Sequence, residues 1–310
     1  MHLNVSVGVL INPNKKILLA QRPESRTWSG WWEFPGGKLE KNEVPEEALA
    51  RELKEEINID VLNCEKWVTR NYLYEEYSVT LYFFKVTEWY GQITAKENQK
   101  LLWINPYEVN KSTILPPNLF ILNALSLPTQ YGITNMSETP KEIFFIQLLK
   151  QLEQGLKMIQ IREKNLTLRE LKKITLEIVK ICKPFSAKVI LNSSIELAND
   201  VNANGVHLNA IELKKFNKKS KNIIVSASCH SEEEVKIAQD KDIDFVVLSP
   251  VKRTISHPEG VALGWDNFLN ITNSYDIPIY ALGGMKKIDI NNALDSGAIG
   301  IASQRDIWSN

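Results

Sequence analysis

The sequence has few cysteines, no excess of charge of either sign and no long apolar run. Its three cysteines, Cys64, Cys182 and Cys229, lack metal-ligand spacing, and an odd count favours a reducing cytoplasm over a disulfide framework. Lysine plus arginine and aspartate plus glutamate each total 37, so there is no global positive field to hold a nucleic acid polymer. No signal peptide and no bilayer-spanning run is apparent, so we expect a cytoplasmic protein without a membrane partner.

The length of 310 residues exceeds that of a typical single domain, and we expect two. The turn-rich stretch SLPTQ at residues 126–130 is typical of a linker. It predicts an N-terminal domain over residues 1–127 and a second domain over residues 128–310.

The N-terminal domain is predicted to be an α+β fold with a mixed sheet. Residues 3–22 predict a hairpin, and further strands are expected near residues 64–71, 76–87 and 101–104. A helix starting at Pro45 lies between these segments in sequence. Strands on both sides of a central helix are typical of a layered α+β domain.

That helix concentrates acid at regular spacing. Glu52, Glu55 and Glu56 stand at positions i, i+3 and i+4, beside an apolar stripe of Leu49, Leu53 and Ile57. Carboxylates spaced in this way repel each other, so a positive group should lie opposite them. Their hard oxygen atoms suit Mg²⁺ or Mn²⁺. An exposed acidic helix face is the alternative interpretation.

The spacing around the helix is distinctive. It runs Gly37, five residues, Glu43, seven residues, Arg51-Glu52-Leu53, one residue, Glu55-Glu56. This stretch resembles the Nudix box of diphosphate hydrolases. It departs from the family near the end of the box, where Asn58 replaces a glycine. Asparagine also tolerates the left-handed conformation that ends a helix, so the helix should stop there normally.

Residues 4–125 further resemble the MutT branch of Nudix hydrolases, which remove oxidised guanine nucleotides from the nucleotide pool. The resemblance implies a nucleoside triphosphate substrate and Mg²⁺, with Mn²⁺ as a possible substitute. It implies metal binding by Glu52, Glu55, Glu56, Glu97 and a backbone carbonyl of Gly36 or Gly37. Either Glu52 or Glu97 would be the general base, with Arg51 orienting a carboxylate. The nucleotide would contact Arg22, Phe34 and Asn118, and the amide of Asn118 would read the purine edge.

Other substrates fit the same box, because the box fixes the diphosphate chemistry but not the base. ADP-ribose, dinucleoside polyphosphates and unmodified nucleotides are the rival substrates. Asn118 is, in the alternative interpretation, an ordinary loop residue after Pro116-Pro117.

The second half alternates short apolar segments with helical ones. Eight such segments in about 180 residues predict a compact TIM (β/α)8 barrel with its binding face at the strand C-termini. The segments are residues 131–134, 158–161, 188–191, 205–208, 223–227, 245–248, 277–281 and 299–302.

The predicted strand ends carry Gln160-Ile-Arg162-Glu-Lys164, Gly205-Val-His207-Leu208, Ser228-Cys-His230, Ser249-Pro250 and Ala281-Leu-Gly283-Gly284. With these motifs, residues 131–308 resemble thiamine phosphate synthase and the related TenI proteins. The resemblance implies a phosphate-bearing small ligand in the barrel, and a histidine near His230 is used by the TenI-like tautomerases. The implied phosphate-binding residues are Gln160, Arg162, Lys164, Asn192, Ser228, Thr254, Gly283 and Gly284. Without the family resemblance, Arg162 and Lys164 would be interpreted as solvent-exposed residues at the rim of the barrel. His207 is expected to be a packing residue at a strand end.

Three departures weaken the implied synthase activity. Ser193 stands where the synthase has a Mg²⁺-binding aspartate, and the acidic run after the fourth strand retains one carboxylate, Glu212. His257 replaces a phosphate-binding lysine, and an imidazole is mostly neutral at pH 7.

We therefore expect a Mg²⁺-dependent hydrolase of oxidised purine nucleoside triphosphates, such as 8-oxo-dGTP, fused to a phosphate-binding barrel with weak or no synthase activity. The alternatives are a bifunctional enzyme that also makes thiamine phosphate, a TenI-like tautomerase and a non-catalytic ligand sensor.

Overall fold

The computed structural model describes residues 1–24, 27–74, 77–217, 223–253 and 261–309. The chain divides into two compact units, Met1–Leu125 and Ser126–Asn310. None of the helices in these described ranges is both long and apolar enough to cross a bilayer.

The N-terminal unit has, within its described residues, seven strands in two sheets. They are β1 (His2–Leu10), β2 (Ile17–Gln21), β3 (Trp32–Glu33), β4 (Gly36–Lys38), β5 (Asp60–Leu73), β6 (Ser78–Tyr90) and β7 (Lys100–Ile104). One sheet has the order β4-β1-β6-β5, with β1 parallel to β6 and antiparallel to β4. The second sheet, β3-β2-β7, is antiparallel. The predicted α+β fold with a mixed sheet is confirmed.

The hairpin predicted for residues 3–22 is wrong in its pairing. The turn itself forms, because Asn12 N–H donates to the Lys16 carbonyl at 3.0 Å and Ile11 bridges Ile17. Beyond that bridge, β1 and β2 belong to different sheets. The longer ladder of β1 with β6 competes successfully with local pairing, so the turn connects the two sheets.

Helix α1 (Pro45–Ile57) carries the acidic residues and packs on β1 and β4. Leu49, Leu53 and Ile57 are completely buried, as their helical spacing predicts. Asn58 ends the helix in the left-handed conformation, with φ of 63°, and donates its backbone N–H to the Lys54 carbonyl. The unit ends in a second helix, α2 (Pro116–Ala124).

The second unit is a closed barrel of eight parallel strands. The strands are β8 (Gln130–Ile133), β9 (Met158–Ile161), β10 (Lys188–Leu191), β11 (Gly205–Leu208), β12 (Ile224–Cys229), β13 (Phe245–Leu248), β14 (Ile279–Ala281) and β15 (Gly300–Ser303). Each predicted segment matches one of these strands to within two residues at either end. The predicted TIM-like barrel is confirmed.

Helices cover the outside of the barrel. In the described residues they are α3 (Lys141–Glu153), α4 (Leu168–Cys182), α5 (Ile195–Asp200), α6 (Ala210–Lys215), α7 (Glu232–Asp240), α8 (Gly264–Ser274) and α9 (Ile290–Asp295). Inside the barrel, the rings of Tyr131, Phe245 and Tyr280 contact one another with centroids 5.4 to 5.5 Å apart. Parallel strands place all eight C-terminal ends at one mouth.

Candidate active sites

Glu56 lies at the centre of a group of acids in the N-terminal unit. Its side chain is buried, and its Oε2 accepts a hydrogen bond from Gly36 N–H at 3.0 Å. The pKa of Glu56 is raised to about 7, mainly by burial and to a smaller extent by the charges of Glu97, Glu52 and Glu33, against the opposing effect of the Gly36 hydrogen bond. Glu33, Glu56 and Glu97 border the same cavity, so three carboxyl groups face a shared space.

Arg51 neutralises the outer part of this acidic group. Its guanidinium binds both oxygens of Glu43 at 2.9 Å, Glu52 Oε1 at 2.9 Å and Glu55 Oε2 at 3.3 Å. The hydrogen bond from Arg51 lowers the pKa of Glu43 to about 2. Glu52 is 16% exposed and Glu55 is 61% exposed, so Glu52 lies on the sheltered side and Glu55 faces solvent. Arg51 thus fixes the orientation of Glu52.

The segment carrying Glu97 is tied to the end of helix α1. Gln99 Nε2 and Lys96 N–H both donate to the Glu56 carbonyl oxygen, at 2.9 and 3.0 Å. Gln99 Oε1 accepts the Glu97 N–H at 2.9 Å. The buried amide of Gln99 therefore couples the position of Glu97 to that of Glu56. Sequence reasoning missed Gln99, because its partners are backbone groups and the Glu56 carbonyl lies 43 residues away.

The chemistry of the acidic group suits a divalent cation. Its donors are carboxylate oxygens, and a Cβ added at Gly37 would lie 2.2 Å from the Glu52 carboxyl group, so a larger residue at this position would displace that carboxylate. Among the described residues, however, no three His, Cys, Asp or Glu side chains are already assembled into a metal site.

Next to the acids lies a cavity of about 190 Å³ with mainly apolar walls. Asn118 borders it, and Asn118 Oδ1 accepts the Phe34 N–H at 3.3 Å. Strands β1 and β6 contribute aliphatic side chains to one wall, and Tyr74 and Tyr77 contribute aromatic rings. The structure thus brings Phe34 and Asn118 together at one cavity, although 84 residues separate them.

Arg22 stands between the cavity and the acids. It borders both spaces, and so do Glu33, Phe34 and Gly36. Arg22 Nη1 pairs with Glu33 Oε2 at 2.7 Å, and Arg22 Nε donates to the Thr27 carbonyl. A ligand with its ring in the cavity and its anionic end at the acids would pass this ion pair. Glu33, Tyr74 and Tyr77 were not predicted, because they approach the site from loops and strand ends.

In the barrel, the predicted phosphate-binding residues are divided between the mouth and the interior. Those that follow strand C-termini, or lie at them, are Arg162, Lys164, Asn192, Ser228, Gly283 and Gly284, and the candidate catalytic residue His230 also lies there. Gln160 lies inside the barrel instead, where its Nε2 donates to the Tyr131 hydroxyl at 3.1 Å. Thr254 and His257 lie outside the described residues.

His207 is held within the barrel by two serines. Its Nδ1 lies 2.9 Å from Ser226 Oγ and its Nε2 lies 2.8 Å from Ser228 Oγ. Burial, assisted by the charge of Arg162, lowers the pKa of His207 to about 3, so the imidazole is neutral. Its contacts match the expected packing role, and they also fix the Ser228 hydroxyl near the mouth.

Close packing explains the two glycines after β14. A Cβ on Gly283 would lie 2.8 Å from Pro250, and one on Gly284 would lie 2.9 Å from the Arg253 carbonyl oxygen. Both residues have positive φ, 103° and 65°. The glycines let the segment after β13 pack closely against the segment after β14. This packing explains both glycines without a bound ligand.

Glu212, the one carboxylate that remains in the run after the fourth predicted strand, is already engaged. Glu212 Oε2 accepts the Asn209 N–H at 2.8 Å, and Asn209 Oδ1 accepts the Glu212 N–H at 3.0 Å. This reciprocal pair caps helix α6. Oε2 of Glu212 is therefore committed to the cap of α6.

His230 has the geometry of an accessible base. Its Nδ1 lies 2.9 Å from the Ser249 carbonyl oxygen, which can only accept, so Nδ1 carries the proton. The side chain is exposed, so a small molecule can reach the imidazole ring.

Comparisons with known proteins match the two units separately. A family model described as NUDIX domain matches residues 2–120, and one described as thiamine monophosphate synthase matches residues 130–307. An 8-oxo-dGTP diphosphatase of Proteus vulgaris is 46% identical over 95 residues, which cover 31% of this chain and 85% of that protein. A CTP pyrophosphohydrolase of Escherichia coli K12 is 35% identical over 118 residues, covering 38% and 87%. A protein of Aquifex aeolicus provisionally named thiamine-phosphate synthase 2 is 36% identical over 180 residues, covering 57% and 96%.

Proposed function

The chain belongs to the NUDIX family through residues 2–120 and to the thiamine monophosphate synthase family through residues 130–307, and from this premise we propose that it hydrolyses oxidised purine nucleoside triphosphates. The reaction would convert 8-oxo-dGTP to 8-oxo-dGMP and pyrophosphate, which prevents mutation by cleansing the nucleotide pool. The observation that carries the proposal is the cavity bordered by Asn118, which shares Arg22, Glu33, Phe34 and Gly36 with the acidic group.

Glu52, Glu56 and Glu97 would hold the divalent cation, together with a backbone carbonyl of Gly36 or Gly37. When bound, Mg²⁺ or Mn²⁺ supplies charge stabilisation for the phosphate oxygens and lowers the pKa of water. Glu55 is the most exposed of the predicted metal ligands on the helix and lies beside Arg51, which suits an outer position.

Other side chains would position the substrate and move the proton. Arg22 would bind the sugar-phosphate, and Asn118 would contact the base edge. Because its Oδ1 already accepts one hydrogen bond, Asn118 would mainly offer its amide N–H groups to a base carbonyl. Glu52 and Glu97 are both candidates for the base that takes the proton of the attacking water.

Glu52→Gln tests the hydrolase assignment. It removes the charge and keeps the volume, so we expect kcat to fall by roughly 100-fold or more with little change in melting temperature. Glu46→Gln is the matched control, because Glu46 is an exposed residue of the same helix and should leave kcat unchanged. Turnover would be measured with Mg²⁺ on a panel of nucleoside triphosphates, ADP-ribose and dinucleoside polyphosphates. If Glu52→Gln keeps more than about a third of the wild-type kcat, the assignment of the acidic helix is wrong.

For the barrel we propose binding of a phosphate-bearing small ligand without synthase turnover at an enzyme-like rate. Arg162 and Lys164 at the mouth would grip the anion. Ser193 and Glu212 support the expected lack of synthase turnover, because Ser193 has no carboxylate and one oxygen of Glu212 is engaged in the cap of α6.

The full-length chain tests the barrel proposal. Calorimetry with pyrophosphate should detect binding that is weakened by Arg162→Ala, and thiamine phosphate itself should not accumulate. The product must be measured directly, because a hydrolase in the same chain can release pyrophosphate from other substrates. Ser193→Asp should improve Mg²⁺-dependent pyrophosphate binding. Ready formation of thiamine phosphate by the wild type would favour the bifunctional enzyme instead.

A TenI-like tautomerase is a second candidate, favoured by the exposed His230 with its Nδ1 proton fixed by the Ser249 carbonyl. Loss of a tautomerase activity in His230→Gln would support it.

A further inference from the structure

The segment of residues 94–99 is bound to the C-terminal turn of helix α1. Its Thr94 N–H donates to the Ile57 carbonyl at 3.1 Å. The Glu56 carbonyl accepts a backbone N–H of the same segment at 3.0 Å and the side-chain Nε2 of Gln99 at 2.9 Å. The last carbonyl groups of a helix have no partner within the helix, so their donors must come from elsewhere. This segment supplies them, and its position therefore follows the end of α1.

Gln99 holds this segment with both ends of a buried amide. Its side chain lies in a residue that is 8% exposed. Gln99 Oε1 accepts the Glu97 N–H, and Gln99 Nε2 donates to the Glu56 carbonyl, each at 2.9 Å. Turning the amide over would set oxygen against oxygen and N–H against N–H, so these partners allow one orientation. One side chain thus fixes the backbone at two acids of the site.

The surroundings of Glu97 make this anchor important. Residues 94–98 are all exposed, so packing in the core does not hold the Glu97 backbone. Asn98 has a left-handed φ of 57°, a conformation typical of tight turns, and the buried Gln99 follows it. Glu56, Glu97 and Gln99 border the same cavity. The Gln99 amide therefore ties an exposed acid of this cavity to the buried acid at its centre.

We propose that Gln99 is a positioning residue that holds Glu97 in place beside Glu56 for the binding of a divalent cation. The inference rests on the proposed function, because it assigns both acids to the metal of the hydrolase. Carboxylates that are already in place bind a cation more tightly than carboxylates that the cation must order, because less conformational entropy is lost on binding. Gln99 acts through the backbone groups of Glu56 and Glu97, without contact to the cation.

Binding of Mn²⁺ to the full-length chain, measured without nucleotide, tests this role apart from catalysis. Gln99→Met keeps the approximate volume and removes both hydrogen bonds, so we expect the Mn²⁺ dissociation constant to rise on the order of tenfold. At limiting Mg²⁺, kcat should fall by a similar factor, with KM for the nucleotide changed by less than about twofold. Gln99→Asn, one methylene shorter, cannot span both partners and should act in the same direction. Gln92→Met makes the same change at an exposed glutamine after β6 and should leave these quantities unchanged.

Two further measurements separate a positioning role from a merely structural one. Added to Glu97→Gln, Gln99→Met should cause little further loss of Mn²⁺ affinity, because both changes act on one carboxylate, and a fully additive loss would overturn the proposal. In the wild type the Glu97 amide should be protected from hydrogen exchange although the residue is exposed, and an unprotected amide would also overturn it. Weaker Mn²⁺ binding in Gln99→Met, without hydrolysis by the wild type, would support the positioning role and reject the hydrolase. Unchanged Mn²⁺ binding in Gln99→Met, with rapid hydrolysis by the wild type, would do the reverse.

Discussion

Glu56 is a carboxyl group buried among other carboxyl groups. Its burial makes the stability of the folded state depend on pH. Its folded-state pKa of about 7 lies above its ordinary value of 4.5. The folded chain therefore binds more protons than the unfolded chain between these values, so stability falls as pH rises from 4.5 to 7. This pKa difference corresponds to a loss of at most about 3 kcal/mol in the free energy of unfolding.

We accordingly predict that, in the presence of a chelator, the N-terminal unit is less stable at pH 8 than at pH 5.5. Glu56→Gln should reduce that difference, because its side chain does not titrate. Urea unfolding followed by tryptophan fluorescence at the two pH values measures the effect. Equal pH dependence in the wild type and Glu56→Gln would show that Glu56 is not the group responsible.

Asn118 carries the second prediction for a single residue. Asn118→Ala should reduce the ratio of kcat/KM for 8-oxo-dGTP over dGTP more than it reduces hydrolysis of a poor substrate. A lost hydrogen bond to the base should cost about 1–3 kcal/mol of discrimination. Steady-state kinetics on the two nucleotides measure it, and an unchanged ratio would exclude Asn118 as the reader of the base.

Among the elements, helix α1 and strand β4 approach so closely that Gly37 has no room for a side chain. In Gly37→Ala the new Cβ would meet the flexible end of Glu52, so the carboxylate would move while the fold remains. We expect a loss of kcat on the order of that in Glu52→Gln, with a melting temperature close to the wild type.

The double variant is the internal control for this prediction. If Gly37→Ala acts through Glu52, adding it to Glu52→Gln should cause little further loss, because both changes remove the same function. A fully additive loss of kcat would show that Gly37→Ala acts on a group other than Glu52.

The elements were predictable from the sequence where the signal is local. The eight barrel strands are short apolar runs between helices, and the acids of α1 have fixed helical spacing. The pairing of β1 with β6 was not predictable in this way, because it joins residues far apart and competes with the hairpin. Tyr74 and Tyr77 reach the cavity only through that long-range pairing, so composition alone did not distinguish them from core residues.

At the scale of the whole molecule, the boundary between the two units determines which fragments of the chain should fold separately. The sequence predicts the division after residue 127, whereas the structure divides the chain after Leu125. Leu127 is buried, and the Ser126 carbonyl accepts a hydrogen bond from Lys188 Nζ at 2.9 Å. Residues 126 and 127 therefore belong with the barrel.

We predict that a fragment of residues 126–310 is more stable than one of residues 128–310. Burying a leucine is worth about 1.5–3 kcal/mol. Urea unfolding of the two fragments measures the difference, and residues 1–125 should retain nucleotide hydrolysis when separated. Equal stability of the two barrel fragments would contradict the assignment of Leu127.

The hydrogen bond from Gln99 to the Glu56 carbonyl should leave no covariation between positions 56 and 99 in related sequences. Every amino acid at position 56 offers the same backbone oxygen, so that contact imposes no correlated substitution between positions 56 and 99. Statistical coupling among relatives would therefore miss the link that holds Glu97 in place. A change at position 99 would appear neutral by that measure and would still displace an acid of the site.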